Sequence, residues 1–218
     1  MLLLLAAACA AQEVNQFWPE IDTYIKINDN MRFLLVADQT RENRFGTQAE
    51  IGPNLDFYLK PLLKLKKIAG LQLDQSKSRP LMLRVGYRRL FSPGNPSENR
   101  VVLEATPRYP FLHGILVTDR NRADLRVIQG TFSWRYRNRL AIEKTFKIRR
   151  FGFTPYARAE AFYDSNFNKF SRTTEDLGSI FPVTRHLELE SYFEHQNDTS
   201  KPQNRQINVQ SVVVNLYF

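Results

Sequence analysis

His113, His186 and His195 are the only imidazoles in the chain, so acid–base or nucleophilic chemistry must run through them or through carboxylates. Ser191 and His195 are four residues apart. On an extended strand that places them on one face but about 13 Å apart, too far for a serine–histidine hydrogen bond. Glu194 and Gln196 flank His195 yet point to the opposite face. A partner from a neighbouring strand stays open. His113 and His186 fall in short turns. No glycine-rich phosphate loop and no metal-ligand spacing occurs, so no cofactor and no metal are expected. The expectation is a protein without catalytic residues.

The other residues whose spacing could do chemistry are charged ones at every second position. Arg84, Arg88, Arg108, Arg120, Arg122, Arg126, Arg135, Arg137 and Arg139 keep one parity within four consecutive extended segments. Glu104, Asp124 and Glu143 relieve them. Earlier segments supply Glu20, Asp22, Glu50 and Asp56, and later ones Glu160, Asp164, Glu188, Glu190 and Glu194. If these side chains share the inside of a closed sheet, a basic wall faces an acidic one. Such a lumen is either filled by paired charge or is a narrow path that draws small anionic solutes.

The elements that would position them are strands nearly everywhere. In Ala49 to Lys60, Ala49, Ile51, Leu55, Phe57 and Leu59 oppose Glu50, Asn54, Asp56, Tyr58 and Lys60. Met31, Phe33, Leu35 and Ala37 share a face, as do Trp134, Tyr136, Leu140 and Ile142. Eleven strands can be counted. Only Pro61 to Leu73 fits neither strand nor helix periodicity, and a twelfth strand is expected within 61–79. Turn signals alternate between short ones (Asn28-Asp29-Asn30, Phe111 to Gly114, Lys147 to Phe151, Val183 to His186) and longer polar ones (Arg41 to Gly46, Ser92 to Asn99, Ser165 to Lys169, Asp198 to Gln206).

Counting back by twos from Phe218 gives Leu216, Val214 and Val212 on one face of the last strand. Residues 2–8 form an apolar run too short to cross a bilayer, followed by Ala8-Cys9-Ala10, a small-x-small cleavage pattern. A signal peptide over 1–10 and a single domain over 11–218 follow. Cleavage after Ala10 would remove the lone Cys9; lipidation of Cys9 is the alternative. Strands of about 9 to 13 residues match a tilted bilayer crossing. Aromatics gather near strand ends at Trp18, Phe91, Tyr109, Trp134, Phe146, Phe153, Phe181 and Tyr217, as in two interfacial girdles.

The fold expected is all-β, an antiparallel transmembrane β-barrel of about twelve strands in the bacterial outer membrane, with short periplasmic turns and longer extracellular loops. Bacterial single-chain barrels have even strand numbers, which favours twelve over eleven. Outer-membrane lipids and, through Phe218, the barrel-assembly machinery are the expected partners. The net charge of +9 raises nucleic acid as a partner. Acidic residues interleave with the basic ones and no basic tail exists, so nucleic acid is not expected. A lipid-modifying outer-membrane hydrolase and a soluble lipocalin-like barrel remain as alternatives, the second with the faces reversed.

Several segments resemble a family of outer-membrane barrels known only as a domain of unknown function. They are Phe17-Trp18-Pro19-Glu20-Ile21-Asp22, Gly52-Pro53-Asn54-Leu55-Asp56-Phe57-Tyr58-Leu59-Lys60-Pro61, Asp119-Arg120-Asn121-Arg122, Phe132-Ser133-Trp134-Arg135-Tyr136-Arg137-Asn138-Arg139 and Tyr192-Phe193-Glu194-His195-Gln196-Asn197. The resemblance spans roughly residues 17 to 218. It implies the fold and the compartment, and carries no activity.

Overall fold

The computed structural model describes residues 12–42, 45–59, 73–149, 151–200 and 204–218. Period-two alternation gives way only at turns, so nearly the whole chain is strand. The strands are β1 (Gln12–Asn28), β2 (Met31–Glu42), β3 (Phe45–Tyr58), β4 (Leu81–Ser92), β5 (Asn95–Pro110), β6 (Ile115–Ile128), β7 (Thr131–Lys144), β8 (Phe146–Ile148), β9 (Phe151–Asp164), β10 (Lys169–Pro182), β11 (Leu187–Asp198) and β12 (Arg205–Tyr217). Among the described residues twelve strands are assigned, and eleven of them close the barrel. β8 is a three-residue continuation of β7 beyond Thr145 that pairs with the start of β9.

The odd number is resolved at the closure. Neighbouring strands pair antiparallel around the ring, except that β1 and β12 pair in parallel, from Gln12 opposite Arg205 to Tyr24 opposite Tyr217. The sheet is therefore mixed rather than wholly antiparallel. An odd number of up-and-down strands leaves the first and last pointing the same way, so a parallel ladder is the only way to close it. Backbone bonds from Lys26 N to Phe218 O and from Phe218 N to Tyr24 O, both 2.8 Å, tie the C-terminal residue into this seam. The Tyr24 and Tyr217 rings stack beside it with centroids 4.8 Å apart.

The connections depart from the expected short-and-long alternation because the strands run further than their apolar stripes. Ser92 to Asn99 shrinks to Pro93-Gly94, with Gly94 at φ 73°. Gln129 and Gly130, at φ 49° and 79°, form a two-residue hairpin whose twist suits the flanking strands. The one long connection joins β3 to β4, at the end that carries the C-terminus. Its described part, from residue 73, is a single 3-10 turn at Gln75–Ser78 rather than a strand. The rest of the region expected to hold a twelfth strand, residues 60–72, lies outside the described residues. So do the expected signal peptide over 1–10 and the residues Ala8 and Ala10 expected at its cleavage site.

Two glycines permit close backbone approach between β3 and β4. A Cβ at Gly52 would sit 2.0 Å from the Tyr87 carbonyl oxygen, and one at Gly86 would sit 2.1 Å from Asn54 Oδ1.

The parallel seam can be tested by cross-linking. Thr23 and Leu216 are Cα partners on the outer face, so a Thr23→Cys/Leu216→Cys variant should form a disulfide on mild oxidation of the folded protein. Absence of that cross-link, with cross-linking instead between Thr23 and another β12 position, would contradict the register.

Candidate functional site: the charged lumen

Polarity is inverted relative to an ordinary soluble core. Asp56, Asp124 and Asp164 are completely buried, whereas Ile21, Ile51, Leu140 and Leu177 on the outer face are about half or more exposed. Leu55 and Phe57 point outward while Asp56 and Tyr58 point inward. Exposed aromatics ring both ends. Tyr109, Phe111, Phe146, Phe151 and Phe218 lie at the C-terminal end, and Phe91, Phe132, Trp134 and Phe170 at the other. Trp18 and Tyr217, expected among them, instead line the lumen. Their even step along the strand from Glu20 and Asn215 puts them on the inner face.

Inside is a cavity of about 940 Å³, lined by all nine arginines singled out above and by Glu20, Asp22, Glu50, Glu160, Glu188, Glu190 and Glu194. Asp56 and Asp164 sit in the wall beneath it, wholly covered by their arginine partners.

The register sets the basic sector a problem. Arg88 lies directly opposite Arg100, Arg100 opposite Arg126, Arg122 opposite Arg137, and Arg120 opposite Arg139. Like charges facing each other across a ladder are destabilising. Bridging carboxylates resolve most of it. Glu50 takes Arg88 at 2.6 Å and Arg100 at 3.0 Å. Glu160 takes Arg120 at 2.7 Å and Arg137 at 2.8 Å. Asp164 takes Arg126 at 2.8 Å and Arg135 at 2.9 Å. Asp56 takes Arg84 at 2.6 Å and Arg32 at 2.8 Å. Asp124 holds Arg122 at 2.6 Å. Among the described residues, only Arg108 and Arg139 of the nine lack an ion pair, and Arg108 donates instead to the Ser76 carbonyl and hydroxyl.

The acidic sector differs. Glu190 pairs with Arg158 at 2.6 Å and also accepts from the Tyr156 hydroxyl. Glu20, Asp22, Asp38, Asp176 and Glu194 form no ion pair among the described residues. Glu20 lies opposite Asp38, and Asp176 opposite Glu194. Glu104 on β5, among the arginines, also forms no ion pair among the described residues and accepts from the Thr106 hydroxyl. The other acids named here are on β1, β2, β10 and β11, across the lumen from the arginines.

Periodicity within strands could not find the floor of the cavity. The 3-10 turn folds into the C-terminal end of the barrel and is bonded to three walls. Arg32 on β2 reaches Asp74 at 2.7 Å, Lys77 reaches Glu143 on β7 at 2.8 Å, and Arg108 on β5 holds Ser76. The Arg32, Arg108 and Lys77 cations hold the Asp74 carboxyl well below the usual carboxylate range despite its burial. Glu143 and Asp74 raise Lys77 above its ordinary value.

Among the described residues Ser191 and His195 are not hydrogen-bonded to each other. His195 faces outward and bonds Asn208 Oδ1 at 2.8 Å rather than Ser191. His186 bonds the Tyr217 carbonyl at 2.7 Å and stacks on Phe218. His113 is an exposed turn residue at φ 61°.

The chain matches, over residues 15–207, the family described as "Protein of unknown function (DUF2490)". It belongs to this family. No curated protein matches its sequence.

Two outcomes follow from the pairing. Asp56→Asn leaves Arg32 and Arg84 without their shared carboxylate and should cost about 3 kcal/mol, the scale for breaking a buried pair. Exposed Glu175 on the outer face should tolerate Gln within about 0.5 kcal/mol. Urea midpoints of the refolded protein in micelles give the comparison, and equal costs would contradict the buried bridge. The floor should be pH-tolerant. Asp74, depressed on folding, contributes above its unfolded pKa of about 3.9 and loses that contribution as pH falls below it; Lys77, raised, contributes below about 10.4 and loses it as pH rises beyond. A nitroxide at Ser78→Cys should keep one immobilised lineshape from about pH 4 to 10. Mobilisation near neutrality would contradict the latch.

Proposed function

We propose that this protein is an integral outer-membrane β-barrel whose lumen is closed at its C-terminal end and is filled largely by structural ion pairs. One observation carries the reading: an apolar outer face between two aromatic girdles surrounds an interior in which carboxylates are fully buried. Water on both sides would leave exposed leucines, isoleucines and valines on strand after strand with no compensation, whereas lipid compensates them. The soluble lipocalin-like alternative needs apolar side chains inside and is disfavoured by the same observation. The exposure of Phe218 at the end of the seam strand supports the reading that it is the assembly signal.

The anion-preferring pore loses support because most of the arginines are neutralised by bridging carboxylates. An aqueous path through this lumen would run along the unpaired acids and favour cations. The mature chain should fractionate with the outer membrane and migrate faster on gels when unheated. Recovery as a detergent-free soluble monomer would contradict the reading. In planar bilayers the wild type should be silent at neutral pH. Asp74→Asn combined with Lys77→Gln releases two of the three ties of the floor and should produce cation-preferring openings. Steady anion-preferring conductance by the wild type would restore the pore.

A further inference from the structure

One cluster in the lumen is not accounted for by structural pairing. Arg139 on β7 faces Arg120 and Glu160 across its two ladders. Both Glu160 oxygens are taken by Arg137, one of them shared with Arg120. Arg139 has no carboxylate within 4 Å among the described residues, and Arg120 Nε is buried with no hydrogen-bond partner. This corner therefore has guanidinium capacity left over for one anion.

The complementary surplus lies two strands away. Asp176 and Glu194 face each other on β10 and β11 and are 4% and 7% exposed. Among the described residues neither has an ion-pair partner, and Asp176 Oδ1 and Glu194 Oε1 have no hydrogen-bond partner. Arg158, the cation nearest in register to Asp176, is taken by Glu190. From Arg139 the ladder steps to Glu160, then to Thr174, and Asp176 is two residues further along. That is about 12 Å between the Cα atoms of Arg139 and Asp176. Arg120, Arg139, Asp176 and Glu194 line the same cavity.

We propose that this corner of the lumen binds a small zwitterion, its carboxylate on Arg139 and Arg120 and its ammonium on Asp176 and Glu194. A guanidinium suits a carboxylate because it offers parallel N–H donors. An ammonium supplies up to three donors to the two orphaned carboxyl oxygens. Neither half of the site is complete for an ion of one sign alone, because the sector opposite repels it. The cavity leaves room for such a solute and is walled off at one end by the Asp74–Arg79 segment. The inference goes beyond the membrane reading and needs only the closed barrel.

Calorimetry on the refolded full chain in micelles tests it, with heat-modifiable migration confirming the barrel in every sample. The probes are γ-aminobutyrate and its two halves, butyrate and butylammonium. γ-Aminobutyrate should bind saturably at one site and at least tenfold more tightly than either half. Arg139→Gln should bring it down to the level of butylammonium, and Asp176→Asn down to that of butyrate, while Arg139→Lys keeps a preference for the zwitterion. Absence of saturable γ-aminobutyrate binding by the heat-modifiable wild type overturns the proposal, as does equal affinity for either half. Failure of outer-membrane fractionation would instead strike the membrane reading and leave this result standing.

Discussion

A carboxylate shared between two guanidiniums is the contact on which the rest of this structure depends. A barrel with arginines facing arginines across its ladders would repel itself. Glu50, Asp56, Glu160 and Asp164 each join two of them. The partners come from different strands, so every bridge also fixes a register. Asp56 on β3 binds Arg32 on β2 and Arg84 on β4; Glu160 on β9 binds Arg120 on β6 and Arg137 on β7. Slipping one strand by a residue would send its charges to the apolar outside and break two bridges at once. Net gain in stability from buried pairs is small or negative compared with apolar filling. What they supply here is a fixed alignment of β2 to β5 and of β6, β7 and β9.

Closure imposes the second constraint. Eleven alternating strands end with β12 running in the direction of β1, so the sheet closes by a parallel ladder. The lumen side of β12 is nearly free of charge along its middle, with Val209, Ser211 and Val213 buried. Along that middle stretch the seam carries no ion pair among the described residues. It is held instead by its ladder, by the Ser211 hydroxyl donating to the Trp18 carbonyl, and by the Tyr24–Tyr217 stack. The carboxylates of β1 and of β10–β11 flank this strand. Glu20, Asp22, Asp176 and Glu194 have no arginine partner among the described residues, whereas Glu190 and Asp198 on β11 take Arg158 and Arg172.

Strand identity and which residues share a face were legible in the sequence because period two is a local property, whereas which face turns inward is not set by alternation alone. The stripe at Ala49 to Leu59 and the last four alternate residues up to Phe218 needed no tertiary information, and the shared face of the arginines followed from the same parity. Three more things were not legible. Strand parity says nothing of which cation meets which carboxylate, so Arg135 and Arg126 on Asp164 emerge only from register. Inner-face aromatics such as Trp18 and Tyr217 look like girdle residues, because position along a strand and facing are independent. The Lys- and Leu-rich stretch after β3 has no period, so the fold of Asp74 to Arg79 into the barrel mouth is set by contacts with Arg32, Arg108 and Glu143, distant in sequence. Arg32, Arg100 and Arg158, missed as lumen residues, had the correct parity, and Glu98 two residues from Arg100 and Glu160 two residues from Arg158 were the signal that could have found the last two.

The chain carries two tryptophans on opposite faces: Trp134 is outward and 40% exposed, and Trp18 lines the lumen. Fluorescence quenching by brominated lipid in reconstituted vesicles therefore tests the inside-out partition most directly. With Trp18→Phe leaving Trp134 alone, brominated chains should quench strongly. With Trp134→Phe leaving Trp18, they should quench little. Strong quenching of Trp18 with none of Trp134, or quenching of neither, would contradict a charged interior wrapped in lipid.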